Sequence, residues 1–327
     1  MTEADTKQEA KKVPAWRRKK VGCCIVLGCI ILIIVIAVVI SVATKHKKHA
    51  VGGEFSKDFT VSWAPNHTRL SNHGRRLELF LDPESGSGFK SNNAFLFGSI
   101  SMDIKLVPAD SAGTVTAYYL FSEAANHDEL DFEFLGNSSG EPYILQTNVF
   151  ANGTGEREQR INLWFDPTTD YHRYGVLWNR RQIVFLVDDL PIRVFTNNED
   201  MGMAYPNQQP MRLYSSLWNG DKWATQGGRV KIDWTHAPFI ASYQNYHLDA
   251  CPATDSLAPC ASPVANQWWD QPEYQTLSAS KQDKLRWVEQ NYMVYNYCSD
   301  MKRNNGTVPS ECTRNSAGFL GLDSLPH

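Results

Sequence analysis

From about residue 57 to 245 the chain alternates apolar and polar positions in short runs. Examples are Leu77-Glu78-Leu79-Phe80-Leu81, the stretch 99–106 and the stretch 182–187. Turn pairs punctuate them: Asp82-Pro83, Asp166-Pro167 and Asn219-Gly220. Alternation with period two between such breakers predicts strands, and no convincing helical period interrupts them. Many antiparallel strands in a stretch of this size predict an all-β fold, a curved antiparallel β-sandwich of the jelly-roll kind.

After Cys251 the texture changes. Pro and Ala crowd residues 252–265, and a helical stretch follows in which Leu285, Val288, Tyr292 and Tyr295 recur at spacings of three and four. Ser280 is the expected cap of that helix, with Asp283 three residues on. Residues 246–315 read as a small extension packed on the sandwich. At the other end, residues 21–43 hold no charge and are long enough to span a bilayer as one helix. Lys11, Lys12, Arg17, Arg18, Lys19 and Lys20 precede them; Lys45, Lys47 and Lys48 follow. The heavier basic flank predicts an uncleaved anchor with its N-terminus inside. Ser41-Val42-Ala43 offers the alternative of a cleaved signal peptide and a secreted protein. The expected organisation is therefore a basic cytosolic tail (1–20), a transmembrane anchor (21–43), a linker (44–56), a jelly-roll β-domain (57–245), a C-terminal extension (246–315) and a tail (316–327).

Charge sharpens this division. Residues 1–50 carry ten Lys/Arg against three Asp/Glu, whereas the remainder carries 22 against 32. An acidic main body argues against nucleic acid or a polyanionic polysaccharide as partner and is compatible with a neutral polymer. The ten Trp supply flat apolar surfaces that a core and a sugar cleft both need. Four sequons begin at Asn66, Asn137, Asn152 and Asn305, all beyond the apolar span, as expected of a body facing the lumen or exterior. Cys251, Cys260, Cys298 and Cys312 form an even set on that side, which predicts two disulfides with three possible pairings. No Cys-x-x-Cys pair, phosphate loop or Ser/His/Asp arrangement stands out, and neither a metal nor a cofactor is expected.

The chemistry concentrates in His127-Asp128-Glu129-Leu130-Asp131-Phe132-Glu133-Phe134. On a strand, Glu129, Asp131 and Glu133 share one face, and Leu130, Phe132 and Phe134 face the core. A solvated acidic strand face is the plain structural reading, but three acids side by side repel one another and gain nothing structurally. Glu129 and Glu133 would have α-carbons about 13 Å apart, and side chains leaning together over Asp131 can bring carboxyl oxygens to roughly 5–6 Å. Retaining glycosidases need about 5–5.5 Å between their two carboxyl groups. Crowding also keeps a proton on one acid near neutral pH, as a general acid requires. His127 is placed to orient Glu129, and Gln146 and Asn148 alternate on one face, where they can bond sugar hydroxyls. Arg157 and Arg160 are candidates for the acceptor side. Trp178, Trp218 and Trp223 are candidate stacking platforms, although core packing claims most Trp residues.

The segment from His127 to Asn137, the run Gln146-Thr147-Asn148-Val149-Phe150, residues 163–172, residues 214–228 and residues 295–300 together resemble the plant xyloglucan endotransglucosylase/hydrolase family over about residues 57–315. The resemblance implies a curved jelly roll with an open cleft, with Glu129 as nucleophile, Asp131 assisting it and Glu133 as acid/base. It favours Trp218 and Trp223 as platforms, adds Asn219 and Gly228 of the same motif to the substrate-binding set, and marks Asn137 as the glycosylated position. It implies the pairings Cys251–Cys260 and Cys298–Cys312. The partners it implies are a xyloglucan donor and a xyloglucan or oligosaccharide acceptor, acted on by a monomer, with transfer outrunning hydrolysis. The connection between Phe195 and Met211 is no longer than in members resembling transferases. A hydrolase, or a silent lectin-like wall protein using the same cleft, are the alternatives. The long charged tail and apolar span are atypical of the family, and Lys222 before Trp223 departs from its usual neutral or acidic residue.

Overall fold

A computed structural model describes residues 53–253, 260 and 267–314. The expected tails, the apolar span 21–43 and residues 316–327 lie outside the described residues. Among those described, no helix is long and apolar enough to cross a membrane.

The described residues form fourteen strands, in chain order. They are β1 (Phe59–Trp63), β2 (Thr68–Ser71), β3 (Arg76–Leu81), β4 (Ser87–Lys105), β5 (Thr114–Phe121), β6 (Glu129–Leu135) and β7 (Ile144–Phe150). Then come β8 (Gln159–Asn162), β9 (His172–Trp178), β10 (Gln182–Val187), β11 (Leu190–Thr196), β12 (Met211–Asn219), β13 (Phe239–Ala253) and β14 (Met293–Asn296). Short α1 (Phe55–Asp58) precedes them, and α2 (Ala279–Tyr292) and α3 (Ser310–Thr313) flank β14. All pairings are antiparallel; ten strands run in the order β11-β10-β9-β4-β12-β5-β6-β7-β8-β14, while β1 and β13 pair β4, β3 pairs β13 and β2 pairs β3.

The 19-residue β4 belongs to two layers. Its first half pairs β12, and its second half pairs β9 and β13. The change of partner falls at Phe97 (φ 68°) and Gly98 (φ 138°). A Cβ on Gly98 would stand 2.3 Å from the α-carbon of Ala250, so both the backbone angle and the close approach of β13 require glycine there. A bend of this kind lets one strand turn a corner between the packed layers of a sandwich. Across the interior, Phe132 of β6 meets Phe185 of β10 at 5.2 Å, and Phe134 meets Tyr174 of β9 at 4.6 Å. The alternating apolar residues of β6 therefore fill the core, and its acids are left on the outer face.

The expected boundary at 245 falls inside β13. The extension adds β14 to the sheet beside β8. Helix α2 starts two residues earlier than its sequence pattern indicates: Ser278, not Ser280, is the cap, its hydroxyl accepting from Lys281 N. Tyr295 lies on β14 because pairing with β8 competes successfully with the helical period. Disulfides join Cys251 to Cys260 and Cys298 to Cys312.

Candidate active site

Strands β12, β5, β6, β7 and β8 lie side by side, and their register aligns the outward side chains in rows. One row runs Tyr214–Tyr119–Asp131–Asn148. The next runs Ser216–Ala117–Glu133–Gln146–Arg160. Glu129 stands between Phe121 and Phe150. Together these residues, with Glu123, Glu158, Trp218 and Trp223, line an open cleft of ≈ 780 Å³.

Each carboxylate has a different surrounding. Glu129 accepts from His127 Nε2 at 3.1 Å and shares a hydrogen bond with Asp131. The His127 ring is held between Phe121 (5.0 Å) and Phe150 (5.1 Å). Burial pushes the Glu129 carboxyl up, and its bonds to Asp131 and His127 pull it back. Asp131 is 6% exposed, and burial followed by the neighbouring Glu129 and Glu133 charges holds its carboxyl well above the usual range. Glu133 is also raised, chiefly by burial. Gln146 Nε2 donates to it at 2.5 Å, and Arg160 Nε donates to Gln146 Oε1 at 2.7 Å. Burial thus raises all three acids, and they differ in what surrounds them: Glu129 is opposed by bonds from Asp131 and His127, while Asp131 and Glu133 also face the charges of their neighbours.

Such crowding costs stability. The Asp131 carboxyl is raised in the folded chain, so its contribution is fully present below the unfolded pKa and is lost as pH rises through the folded value. Asp131→Asn is expected to be more stable than wild type near pH 7 by on the order of 1–2 kcal/mol, the difference vanishing toward pH 3. Urea unfolding at both pH values measures it; a gain of equal size at both would refute the electrostatic cause.

Of the residues expected at the site, Glu129, Asp131, Glu133, Gln146, Asn148, Trp218 and Trp223 line the cleft, and His127 backs it. Trp218 and Trp223 face one another at 6.2 Å. Two expectations are corrected, Trp178 and Arg157. Trp178 is fully buried against Phe97, its indole N–H donating to Pro206 O at 2.8 Å, so it is a core residue. Arg157 is buried and paired with Glu311 at 2.8 Å, because its parity on the chain turns it inward; Arg160 takes the cleft position. Gly228 serves a turn: its φ is +81°, and a Cβ would meet Lys222 O at 2.3 Å. Asn219 is exposed at the end of β12 and bonds the backbone N–H of Asp221 at 2.9 Å. Asn137 is half-buried in the β6–β7 loop, its amide donating to Pro142 O at 3.1 Å. Tyr119, Phe121, Phe150, Tyr214 and Ser216 were not singled out by sequence. Their signal was the alternation of β5, β7 and β12; on β12, for example, Tyr214, Ser216 and Trp218 repeat with period two. Tyr214 stacks on Tyr119 at 5.3 Å and donates to Glu123 Oε1 at 2.5 Å. Among the described residues no cluster of three or more His, Cys, Asp or Glu could hold a metal ion.

A β-sandwich with an open, aromatic-edged cleft and paired carboxylates on its floor is the architecture of a glycoside-processing enzyme. Residues 55–236 match Glycosyl hydrolases family 16, and residues 263–312 match the xyloglucan endo-transglycosylase (XET) C-terminus. The chain belongs to glycosyl hydrolase family 16. It is similar to xyloglucan endotransglucosylase/hydrolase protein A of Phaseolus angularis, 57% identical over 260 residues, covering 80% of this chain and 88% of that one. It is 55% identical over 260 residues to xyloglucan endotransglucosylase protein 34 of Populus tremula x Populus tremuloides, with the same coverage of each chain.

Proposed function

We propose that this protein cleaves the β-1,4-glucan backbone of xyloglucan with retention and transfers the glycosyl group to another xyloglucan chain. The single-face array of Glu129, Asp131 and Glu133 in an open cleft carries this reading, together with relatives named for that activity. Glu129 attacks the anomeric carbon from one side while Glu133 gives its proton to the departing chain's oxygen. Asp131 holds a proton toward Glu129, which keeps Glu129 ionised until it attacks. Glu133, now a carboxylate, then takes the proton from the acceptor hydroxyl as that oxygen displaces Glu129 from the sugar. Tyr119, Tyr214, Trp218 and Trp223 offer faces for sugar rings, and Gln146 and Asn148 offer amides for hydroxyls.

Water competes with the acceptor for the same glycosyl-enzyme. Transfer wins only where the acceptor is held beside the intermediate at high effective molarity. The open cleft continues to β8, and β14 of the extension borders β8, which lengthens the floor available to an incoming chain. Incubation with xyloglucan and an excess of labelled xyloglucan oligosaccharide is expected to move label into polymer faster than reducing ends appear. The reverse ranking would make the protein a hydrolase.

Residues 21–43 anchor the enzyme as a type II membrane protein of the secretory pathway or plasma membrane, with the cleft facing the lumen or wall and Asn137 carrying a glycan. The apolar span, its basic flank and the downstream sequons support this. N-terminal sequencing of the mature protein tests it. A start near Thr44 would mean a cleaved signal and an enzyme of the apoplast.

A further inference from the structure

Arg193 of β11 is 3% exposed and lies in the other layer of the sandwich from the cleft. Its side chain crosses the interior, and Nη1 donates to both the carbonyl and the hydroxyl of Thr147, each at 3.0 Å. Thr147 is the inward residue of β7 between Gln146 and Asn148, the two amides of the cleft floor. Its register partners are Phe132 on β6 and Gln159 on β8. Phe132 in turn lies between Asp131 and Glu133. The guanidinium therefore stands under the floor, between the row of Asp131 and the row of Glu133. The rings of Phe185 (5.5 Å) and Tyr297 (5.9 Å) flank it.

A buried cation is costly unless an anion offsets it. Among the described residues Arg193 forms no ion pair. Each nearby charge is otherwise engaged. Arg157 is paired with Glu311 at 2.8 Å, and Glu158 with Arg303 at 2.6 Å. Arg314 is paired with Asp200 at 2.7 Å, and Arg286 with Asp283. The Tyr297 hydroxyl accepts from the guanidinium and remains neutral, because burial pushes it up to about 12. Glu289 of α2 lines the same cavity as Arg193, and burial pushes its carboxyl up to about 7, so it is neutral in the acid range. What remains facing Arg193 is the carboxylate cluster across one layer of strand.

We infer that Arg193 is a positioning residue for the reaction: it anchors β7 through Thr147 and supplies, from behind the sheet, positive charge that offsets Asp131, the hydrogen-bond partner of Glu129. The inference rests on the two-carboxylate reading above. The Coulombic attraction runs both ways, since Asp131 favours the charged form of Arg193 and Arg193 favours that of Asp131. Loss of the cation leaves Asp131, and through their shared hydrogen bond the Glu129–Asp131 pair, more reluctant to ionise.

The test is the pH dependence of kcat/KM for xyloglucan transfer in wild type, Arg193→Lys and Arg193→Gln. Wild-type activity must first be found, and its absence would count against the functional reading alone. Given that activity, Arg193→Gln is expected to move the acid limb up by about half a pH unit or more, and Arg193→Lys, which keeps the charge, to leave it in place. The limb's position is independent of how much enzyme is folded, so a merely structural role would lower the rate without moving it. If Arg193→Gln yields no enzyme, Arg193→Met, whose side chain suits a slot between two aromatic rings, takes its place in the comparison. An acid limb that coincides with wild type in the neutral variant, or that shifts equally in Lys and neutral variants, overturns the inference.

Discussion

Glu129→Ala is expected to lose transfer activity by about 10⁴-fold or more, because it removes the carboxylate proposed to form the covalent intermediate. The expectation rests on the different bonding of the two glutamates. Burial raises both carboxyls; in Glu129 the bonds from Asp131 and His127 oppose it, whereas in Glu133 the bond from Gln146 opposes it and the neighbouring charges of Glu129 and Glu158 reinforce it. Azide separates the two roles. In Glu129→Ala it can enter the emptied space and attack the anomeric carbon directly, giving an α-glycosyl azide while Glu133 still protonates the leaving chain. In Glu133→Ala it intercepts a glycosyl-enzyme already formed on Glu129, giving the β-glycosyl azide. Opposite configurations from the two variants are the signature, read by NMR of the products. The same anomer from both, or full activity in Glu129→Gln, would refute the assignment.

The carboxylate face was legible because β-strand geometry needs no partner to be known: period two alone puts Glu129, Asp131 and Glu133 together. What stands across from them was not. That Asp131 meets Asn148 and Tyr119, or that Glu133 meets Gln146 and Ala117, depends on loop lengths that set the register. Parity explains the failures. Arg157 and Arg160 look alike in the sequence, yet pairing of Gln146 with Arg160 fixes Arg160 on the cleft side and leaves Arg157 inside. Trp178 and Trp218 differ in the same way. Trp178 ends a run buried on both faces, whereas Trp218 alternates with Leu217 on a strand with one wet side. The β14 edge strand was hidden because its four residues continue the period of α2, and only pairing with β8 decides between the two.

Arg157→Ala is expected to destabilise the fold by about 3–5 kcal/mol, since it leaves Glu311 buried without its cation. The pair is almost wholly enclosed, at 6% and 9% side-chain exposure, and it ties the β7–β8 connection to α3. The guanidinium also lies 5.6 Å from the ring of Phe195 and donates to Thr154 O at 2.5 Å, so the loss is more than one Coulombic contact. Replacing both partners with apolar residues, as in Arg157→Met with Glu311→Leu, is expected to recover much of the loss, because no stranded charge remains. Denaturant unfolding of the two single variants and the double variant measures the coupling. A single variant within 1 kcal/mol of wild type would show that the pair is not what holds the extension down. The consequence reaches the cleft through the backbone: Arg157 N donates to Asn148 Oδ1 at 3.0 Å, and Asn148 is in the floor beside Asp131. When the connection loosens, that amide loses its fixed orientation. Folded Arg157→Ala enzyme should therefore show a raised KM for xyloglucan in addition to its lower stability, and the Met/Leu double variant should restore both together.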